Sequence, residues 1–413
     1  MSDRHLYGMV FLPFAFGHFL QCLLRNVNAT LAPQLMAALA LTPGQLGLLT
    51  SVYFFSFALV QLPVGMALDR WGPARVQWPM LLLAVLAALG FAGGQQFSQL
   101  LAARAAGLRA GWLFHGGAES LFAVGEPARL PSLQGYLVAV GGLGAASATL
   151  PVRWLLHYAG WRGVFIGLAL LVLAGALLLR WRAPRAAIDE GAPASSAALR
   201  LVLQDASFRQ VLRLLLVPHM VYFGVQGLWL GRWLSDAGHY PEVQVGYLLY
   251  LSMAAIIFGA IVMGRLTQWA ARRGIAMLHI AACGVALFLL VQLAMLCRWP
   301  PAFPVLAVLF TLTGTATGMD YTILAQNMPA SLSARAVTLL NLLIFMGAFA
   351  VQAGFGLVVA LWPSAGQQSP VQAYQAAYGL LIMLQLPGLL RYLWPQLSGR
   401  MGPRPATSLS TPR

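Results

Sequence analysis

Long apolar runs separated by short polar connections recur along the whole chain. Each run can cross about 30 Å of hydrocarbon at about 1.5 Å per helical residue. A helix satisfies all its backbone hydrogen bonds internally, so the runs predict an all-α polytopic membrane protein with twelve transmembrane helices. We number these spans 1 to 12. They cover residues 8–31, 45–68, 76–95, 98–121, 134–157, 161–181, 210–230, 244–266, 275–297, 303–325, 336–362 and 373–395.

One connection is much longer than the others and divides the spans into six and six. It covers residues 182–209 and is rich in alanine, proline, serine and charge. The sequence therefore predicts four parts: an N-terminal six-helix half, a cytoplasmic linker, a C-terminal six-helix half and a cytoplasmic tail. These parts cover residues 1–181, 182–209, 210–395 and 396–413.

The charge of the chain is explained by its topology. Of its 413 residues, 60% are hydrophobic and only 8% are charged, against about a quarter in soluble domains. All 25 basic residues are arginine, and the formal net charge is +15. With both termini cytoplasmic, only Arg162, Arg232 and Arg298 fall outside the cell. The positive charge thus indicates orientation in a lipid bilayer and predicts no nucleic-acid partner.

Motifs of soluble-enzyme chemistry are missing from the sequence. It contains no phosphate-binding loop, no ATP motif, no metal-ligand cluster and no nucleophile elbow. Cys22, Cys283 and Cys297 lie in apolar runs and match neither a disulfide framework nor a metal spacing. We therefore expect a monomer that is not an enzyme and needs no cofactor or metal. Any transport would be driven by solute or ion gradients.

A compact glycine-rich and charged connection joins spans 2 and 3. Residues 65–75 read Gly-Met-Ala-Leu-Asp-Arg-Trp-Gly-Pro-Ala-Arg, and the glycines suit a tight antiparallel hairpin. The pattern Gly-x-x-x-Asp-Arg-x-Gly-x-x-Arg resembles the loop between helices 2 and 3 of major facilitator superfamily transporters. This resemblance implies two halves that rock around a cavity lined by spans 1, 4, 7 and 10. It also implies that Asp69, Arg70 and Arg75 act in gating without touching the solute.

The two halves of the sequence echo each other, which supports parallel six-helix repeats. An offset of 201 residues relates polar positions in span 1 to span 7, and in span 4 to span 10. Such repeats place a site near the bilayer midplane, between the halves. The matched pairs are His18 with His219, Gln21 with Tyr222, Arg25 with Gln226, Asn28 with Trp229, and Glu119 with Asp320.

Span 1 carries four polar residues on one helical face, namely His18, Gln21, Arg25 and Asn28. A guanidinium inside a span costs roughly 2.5 to 3.5 kcal/mol on insertion scales unless it faces protein or water. Arg25 is therefore expected to point into the bundle. It would either bind the anionic group of a solute or bond structurally to helix-end carbonyls.

Spans 1 and 4 also resemble those of the anion–cation symporters within the same superfamily. The similarity rests on Arg25-Asn26-Val27-Asn28, on the following Ala32-Pro33, and on Arg104 in span 4. It implies that Arg25 and Arg104 neutralise an anion. The chain departs from this branch at Leu24 and Gly111, where its members carry the carboxylates associated with proton coupling. Any coupling here must therefore use other groups or be absent.

Span 7 presents His219, Tyr222, Gln226 and Trp229 along one stripe, and Pro218 is expected to kink the helix. Aromatic and amide side chains suit an organic solute better than a bare inorganic ion. Trp229 is equally consistent with a place at the membrane interface. In span 11, Asn341 would extend the site or tie helices together.

The titratable residues inside the spans fall into two groups. Histidine exchanges protons near neutral pH, so His18, His115 and His219 are candidates for proton coupling, with His219 the first of them. Glu119 and Asp320 lie toward the cytoplasmic ends of their spans. We interpret them as gate residues that pair with arginines of neighbouring loops, candidates being Arg70, Arg129, Arg265 and Arg335.

Together these features predict a secondary active transporter in a bacterial-type inner membrane that moves a small organic anion by alternating access. Proton-coupled uptake is one possible drive. The alternatives are an exporter of amphipathic compounds and a non-transporting receptor on the same fold. An arginine-lined site fits the first alternative poorly, and the tails and linker are short for the second.

The gating role assigned to Asp69 leads to a first prediction. Asp69→Asn should slow transport severalfold while leaving solute affinity nearly unchanged, because the loop changes the balance of conformations and does not touch the solute. Flux into proteoliposomes and equilibrium binding check the two quantities separately. A large loss of affinity would contradict the gating role.

Overall fold

Helices account for nearly all of the part of the chain that the computed structural model describes, which is residues 11–71, 73–106, 130–182, 196–297, 299–363 and 368–397. The N-terminal half contains Leu12–Leu39, Pro43–Trp71, Pro73–Gly93, Phe97–Ala106, Leu130–Ser147 and Leu150–Arg182. The linker contributes the short helix Ser196–Gln204. Spans 8, 9, 11 and 12 of the C-terminal half are Glu242–Arg272, Met277–Ala294, Ala330–Val359 and Val371–Leu397.

Spans 7 and 10 differ from the others because their helices change type along their length. Span 7 runs through Ala206–Val211, Leu212–Leu216, Val217–Gly224, Val225–Trp229 and Leu230–Asp236, and the second and fourth of these segments are π-helical. Span 10 runs through Pro300–Ala302, Phe303–Gly314, Thr315–Gly318 and Met319–Asn327, and its first and third segments are 3₁₀-helical. Such interruptions inside a helix often mark hinges or functional sites.

Local sequence explains where several helices begin and end. Thr42 and Gln45 form a reciprocal capping box: each backbone N–H donates to the other's side-chain oxygen, at 3.0 and 3.2 Å. Gly160 has φ 61°, so spans 5 and 6 turn where a side chain would be strained. Gly274 makes the equivalent turn between spans 8 and 9, with φ 68°.

The membrane-spanning character of the chain is confirmed by these helices. Within the described residues, nine stretches are long and apolar enough to cross a membrane, and one of them, Ala139–Arg182, contains both spans 5 and 6. Span 1 is absent from the nine because its polar residues lower its hydropathy, although its helix has 28 residues. The end of span 4 lies outside the described residues. Twelve spans therefore remain the prediction.

Alternation of the helices gives the bundle two ends. We call the end where spans 2 and 3 meet the Arg70 end, and the end where span 7 finishes the Asp236 end. The sequence placed Arg232 in a connection after span 7, and this is corrected because the span 7 helix continues to Asp236. Arg232 is buried and pairs with Asp236 at 2.8 Å. This partner lets the charge lie inside the helix bundle.

The two halves meet along a seam between spans 2 and 11. At the Asp236 end the seam depends on glycine: a Cβ on Gly356 would lie 2.8 Å from the Pro43 carbonyl oxygen and 2.9 Å from the Trp229 ring. The Trp229 indole N–H crosses the same region and donates to the Gln352 carbonyl oxygen at 2.9 Å. These contacts close the bundle at the Asp236 end.

Farther toward the Arg70 end the same seam is aromatic. Phe54 and Phe57 of span 2 pack on Phe345 of span 11, with ring centroids 5.7 and 4.4 Å apart. The Gln61 side chain then donates to the Thr338 carbonyl oxygen at 3.2 Å. Spans 2 and 11 are thus in contact from Gly44 to Gln61, and either end can open only if these contacts separate.

The close approach of spans 2 and 11 can be tested by cross-linking. The Cβ position of Gly44 lies 3.9 Å from Cβ of Ala360, a separation suited to a disulfide. In a background in which the three native cysteines are replaced by serine, Gly44→Cys with Ala360→Cys should form a disulfide on mild oxidation. The yield is measured by gel mobility.

Matched glycines on span 11 provide the control. Adding Gly356→Ala should lower the cross-linking yield severalfold, because its Cβ collides with Pro43 and Trp229. Adding Gly354→Ala should leave the yield unchanged, because nothing lies within 4 Å of its Cβ position. Equal yields from both variants would show that glycine is not what permits closure.

Candidate functional site

Arg25 lies at the junction of the two halves. Arg25 is partly buried in span 1, and its guanidinium carbon lies 5.3 Å from the ring centroid of Phe223 in span 7. Tyr53, Tyr222 and Tyr321, from spans 2, 7 and 10, all lie within electrostatic reach of its charge. No carboxylate pairs with Arg25 among the residues whose placement is described. Its positive charge is therefore available at the centre of the bundle.

Phe223 connects this cation to a second polar group. The imidazole of His219 lies nearly parallel to the Phe223 ring, with centroids 5.0 Å apart and planes at 13°. Phe223 also stacks on Phe345 of span 11, at 5.5 Å and 26°. One aromatic ring therefore contacts the guanidinium of span 1, its neighbouring imidazole and the Phe345 ring of span 11. Such parallel contacts fix the positions of the rings.

His219 forms a buried pair with Asp320 of span 10. Nδ1 of the imidazole lies 2.7 Å from Oδ2 of the carboxylate, and both side chains are almost fully excluded from solvent. The other carboxylate oxygen accepts from the backbone N–H of Tyr321 at 2.7 Å. The expectation that Asp320 pairs with a loop arginine is corrected here: its side-chain partner is His219. Burial explains this, because span 10 carries Asp320 into the bundle, whereas Arg70 is exposed.

The irregular segments of spans 7 and 10 surround this pair. The 3₁₀ segment Thr315–Gly318 ends two residues before Asp320, and the π segment Leu212–Leu216 ends shortly before His219. Pro218 has no backbone N–H to continue a regular α-helical ladder, which accounts for the change of helix type next to it. The pair thus lies where both helices are interrupted.

A second cluster of polar side chains lies in the N-terminal half and is centred on Arg104. Arg104 is buried and donates to the Leu24 carbonyl oxygen at 3.2 Å, with its guanidinium carbon 5.5 Å from the centroid of the Tyr53 ring. Its Nε and one terminal nitrogen have no hydrogen-bond partner among the described residues. His18 contacts Gln21 at 3.2 Å on the neighbouring span 1. Arg104 therefore retains hydrogen-bonding capacity in a buried place.

The remaining residues that were predicted to bind the solute differ in whether their polar atoms already have partners among the described residues. Asn28 is fully buried, and neither polar atom of its side chain has a partner in the described part of the chain. The Gln226 amide instead contacts the sulfur of Met253 at 3.2 Å. The Asn341 side-chain oxygen accepts from the Tyr321 hydroxyl at 2.7 Å. Tyr222 packs against Gly314, and Trp229 lies in the seam and not at the membrane interface.

For several predicted residues the structure does not test the predicted role. His115 and Glu119 lie outside the described residues. The backbone of Asp69 is helical, and nothing further is described for its side chain. Arg70 and Arg75 are exposed at the Arg70 end, away from the centre. In the described part of the chain, no group of three or more acidic, histidine and cysteine side chains could hold a metal ion.

Sequence reasoning predicted Tyr222 and Trp229 but missed the ring that links Arg25 to His219. Phe223 was not singled out, because a phenylalanine in an apolar span has no distinctive pattern. One signal was present: Phe223 is four residues after His219 and therefore shares its helical face. The partnership of His219 with Asp320 had no such signal, since the two residues are 101 positions apart and meet only through the packing of spans 7 and 10.

A separate cavity of about 330 Å³ opens at the Asp236 end and includes Asp236, His239, Phe303 and Ser369 in its lining. The Asp236 carboxylate is already occupied by Arg232, by the Tyr374 hydroxyl at 2.7 Å and by the Ser369 backbone N–H at 3.3 Å. These contacts join span 7 to the start of span 12. This carboxylate therefore has a structural role, and the central Arg25 region remains the better candidate site.

Comparisons with known proteins agree with this architecture. A family model described as Major Facilitator Superfamily matches residues 14–351. A crystal structure of a bacterial homolog of the human lysosomal transporter Spinster, inward-facing and unoccupied, superposes with a TM-score of 0.76 at 16% identity, covering 98% of this chain and 100% of that chain. The occupied form gives 0.76 at 15% identity with the same coverage.

A more distant structure is that of a point mutant of the nucleoside transporter NupG. It superposes with a TM-score of 0.72 at 12% identity, covering 93% of this chain and 99% of that chain. A search of curated proteins finds no match. At these identities the solved structures establish the fold alone.

The buried Asp236 contacts lead to a stability prediction. Asp236→Ala removes the counter-charge of buried Arg232 and should lower the free energy of unfolding by about 3 to 5 kcal/mol. Thermal unfolding in detergent measures the change. The control is Glu242→Ala, which breaks the Arg153 pair at 3.2 Å where Glu242 is 55% exposed. That loss should stay below about 1 kcal/mol. Similar losses from both variants would contradict the account.

Proposed function

The chain belongs to the Major Facilitator Superfamily, and we propose that it is a secondary transporter of a small organic anion. Arg25 is the observation that carries the proposal. A permanent positive charge inside a span is costly unless it has a counter-charge or water, and no carboxylate of the described residues supplies one. A solute carboxylate at this position would form the bidentate contact that guanidinium groups favour.

The surroundings of Arg25 support an organic solute over a bare inorganic ion. Aromatic side chains from both halves, including Tyr53 and Phe223, lie around the guanidinium. Arg104 and Asn28 retain unpartnered polar atoms in buried positions. A ligand that combines an apolar body with a few polar groups is what such a lining accommodates. We propose that Gln21, Tyr222, Gln226, Trp229 and Asn341 complete the binding region when the halves move.

Movement of the halves would occur at the seam between spans 2 and 11. In this conformation glycine contacts at Gly356 and aromatic contacts at Phe345 hold the two spans together. Alternating access would separate these contacts first at one end and then at the other, around a fixed Arg25. We further propose a bacterial inner-membrane location in which the Arg70 end, with the linker helix, faces the cytoplasm, as the arginine bias indicates.

The proposal is tested by binding of matched acids and amides to the purified protein. Melting temperatures are recorded with benzoate and benzamide, lactate and lactamide, and succinate and succinamide. A ligand that binds the folded state raises the melting temperature by mass action, equivalent to about 2.7 kcal/mol at one hundred times its dissociation constant. At least one acid should stabilise the protein while its amide does not.

Variants locate the binding site. Arg25→Gln should abolish the stabilisation by the acid, whereas Arg391→Gln, an exposed arginine of span 12 with the same change of charge, should retain it. Stabilisation by cationic amphiphiles alone would overturn the proposal in favour of an exporter. Equal loss of acid binding in both variants would show that general surface charge, and not Arg25, attracts the anion.

A further inference from the structure

We propose that His219 and Asp320 form one proton-binding site whose occupancy is coupled to the charge at Arg25, so that anion and proton favour each other's binding. This inference rests on the proposed anion-binding role of Arg25. It gives Asp320 a role in coupling in place of the gating role expected from its sequence position.

The first support is the net charge of the pair. With Asp320 ionised and His219 neutral, the pair carries one negative charge in a place that is almost completely dry. Adding a proton gives an ion pair of zero net charge, held by the 2.7 Å contact. Isolated charge in a membrane interior is costly, and a neutral pair less so. The pair can therefore exist in two protonation states that differ in charge without a change of partner.

The second support is the position of Arg25. Its guanidinium and the His219 imidazole both contact the Phe223 ring, at 5.3 and 5.0 Å from the ring centroid. The apolar ring excludes water from the space it occupies, so the arginine charge is poorly screened there. A positive charge at this position opposes proton binding by the pair. An anion that neutralises Arg25 removes that opposition and promotes proton uptake.

Other titratable groups near the pair do not reproduce this effect. Tyr222 and Tyr321 are neighbours of the imidazole, and hydroxyls of this kind are uncharged at neutral pH. The charged or titratable groups on the helices packed around spans 7 and 10 lie nearer the bundle ends. They include Arg265, Arg272, His279, Cys283, Arg335 and Arg391 toward the Arg70 end and Glu242 at the Asp236 end, and span 1 adds His18 and Cys22 beside Arg25. Arg25 is the charge that a solute can cancel.

The linkage is reciprocal. If neutralising Arg25 strengthens proton binding, then proton binding strengthens anion binding by the same factor. The guanidinium carbon and the imidazole centroid lie 5.3 and 5.0 Å from the same ring centroid and are therefore at most about 10 Å apart. At that separation and an effective dielectric constant of about 20, the coupling is roughly tenfold, or about one pH unit. The two ligands would then cross the membrane together. The 3₁₀ segment Thr315–Gly318 of span 10 and the π segment Val225–Trp229 of span 7 would act as hinges that move when the pair binds or releases its proton.

The test uses the proton and needs no identified solute. Infrared difference spectra of the purified protein between pH 5 and pH 8 report carboxyl and imidazole protonation. His219→Gln and Asp320→Asn should each remove the same spectral component, because the proton is shared. Glu242→Gln, which changes an exposed carboxylate, should retain it. Arg25→Gln should move the midpoint of this component about one unit to higher pH, while Arg391→Gln leaves the midpoint in place.

Two results would overturn the inference. One is a component that survives in Asp320→Asn, and the other is a midpoint that does not move in Arg25→Gln. If Asp320→Asn fails to fold, Asp320→Glu, which keeps the carboxyl group, should retain the component with an altered midpoint. Failure of the anion role of Arg25 would appear separately, as acid-specific stabilisation that survives in Arg25→Gln in the melting experiment, while the infrared component still shifts in that variant.

Discussion

The cost of placing charge inside a membrane determines how this molecule is arranged. Arg25, Arg104, Asp236 and the His219–Asp320 pair all lie within helical spans, and every one except Arg25 has a close polar partner in the described structure. These partners offset the free-energy cost of burying the charged groups, and Arg25 is the group for which no such partner is described. Among the described residues no carboxylate pairs with Arg25, and a positive charge in this position at the junction of the two halves is a natural binding point for an anion.

Two buried pairs of polar side chains differ in how they are held. Arg232 and Asp236 are four residues apart on one helix and are further held by Tyr374 and Ser369, so they stay together as a rigid unit. His219 and Asp320 come from different spans, each interrupted beside the pair. Only the second pair contains a side chain whose ordinary proton exchange lies near neutrality. It also joins two irregular helices, whereas the first pair lies within one α-helical segment.

Much of this organisation could be predicted from the sequence, and the limits have physical causes. Apolar runs of membrane-spanning length and the loop at Gly65–Arg75 were sufficient for the fold, since hydropathy is a property of local sequence. The repeat offset brought His219 and Asp320 to attention separately. Their pairing depends on how two helices pack, which the sequence does not show. Asp320 falls near the end of its predicted span, close to arginines of the loops, and an arginine partner was predicted for that reason. The helix end at Asp236 was missed because Arg232 ended the apolar run, although an Arg-x-x-x-Asp spacing already suited an ion pair within one helix.

Whether the molecule moves an anion across the membrane is tested most directly by counterflow in proteoliposomes. Vesicles loaded with an unlabelled acid that stabilises the protein are diluted into a trace of the same acid carrying a radioactive label. The account predicts a transient accumulation of label in vesicles that contain the wild-type protein, and none in vesicles that contain Arg25→Gln. Binding of the acid without any exchange of label would contradict it, and would identify a receptor built on a transporter fold.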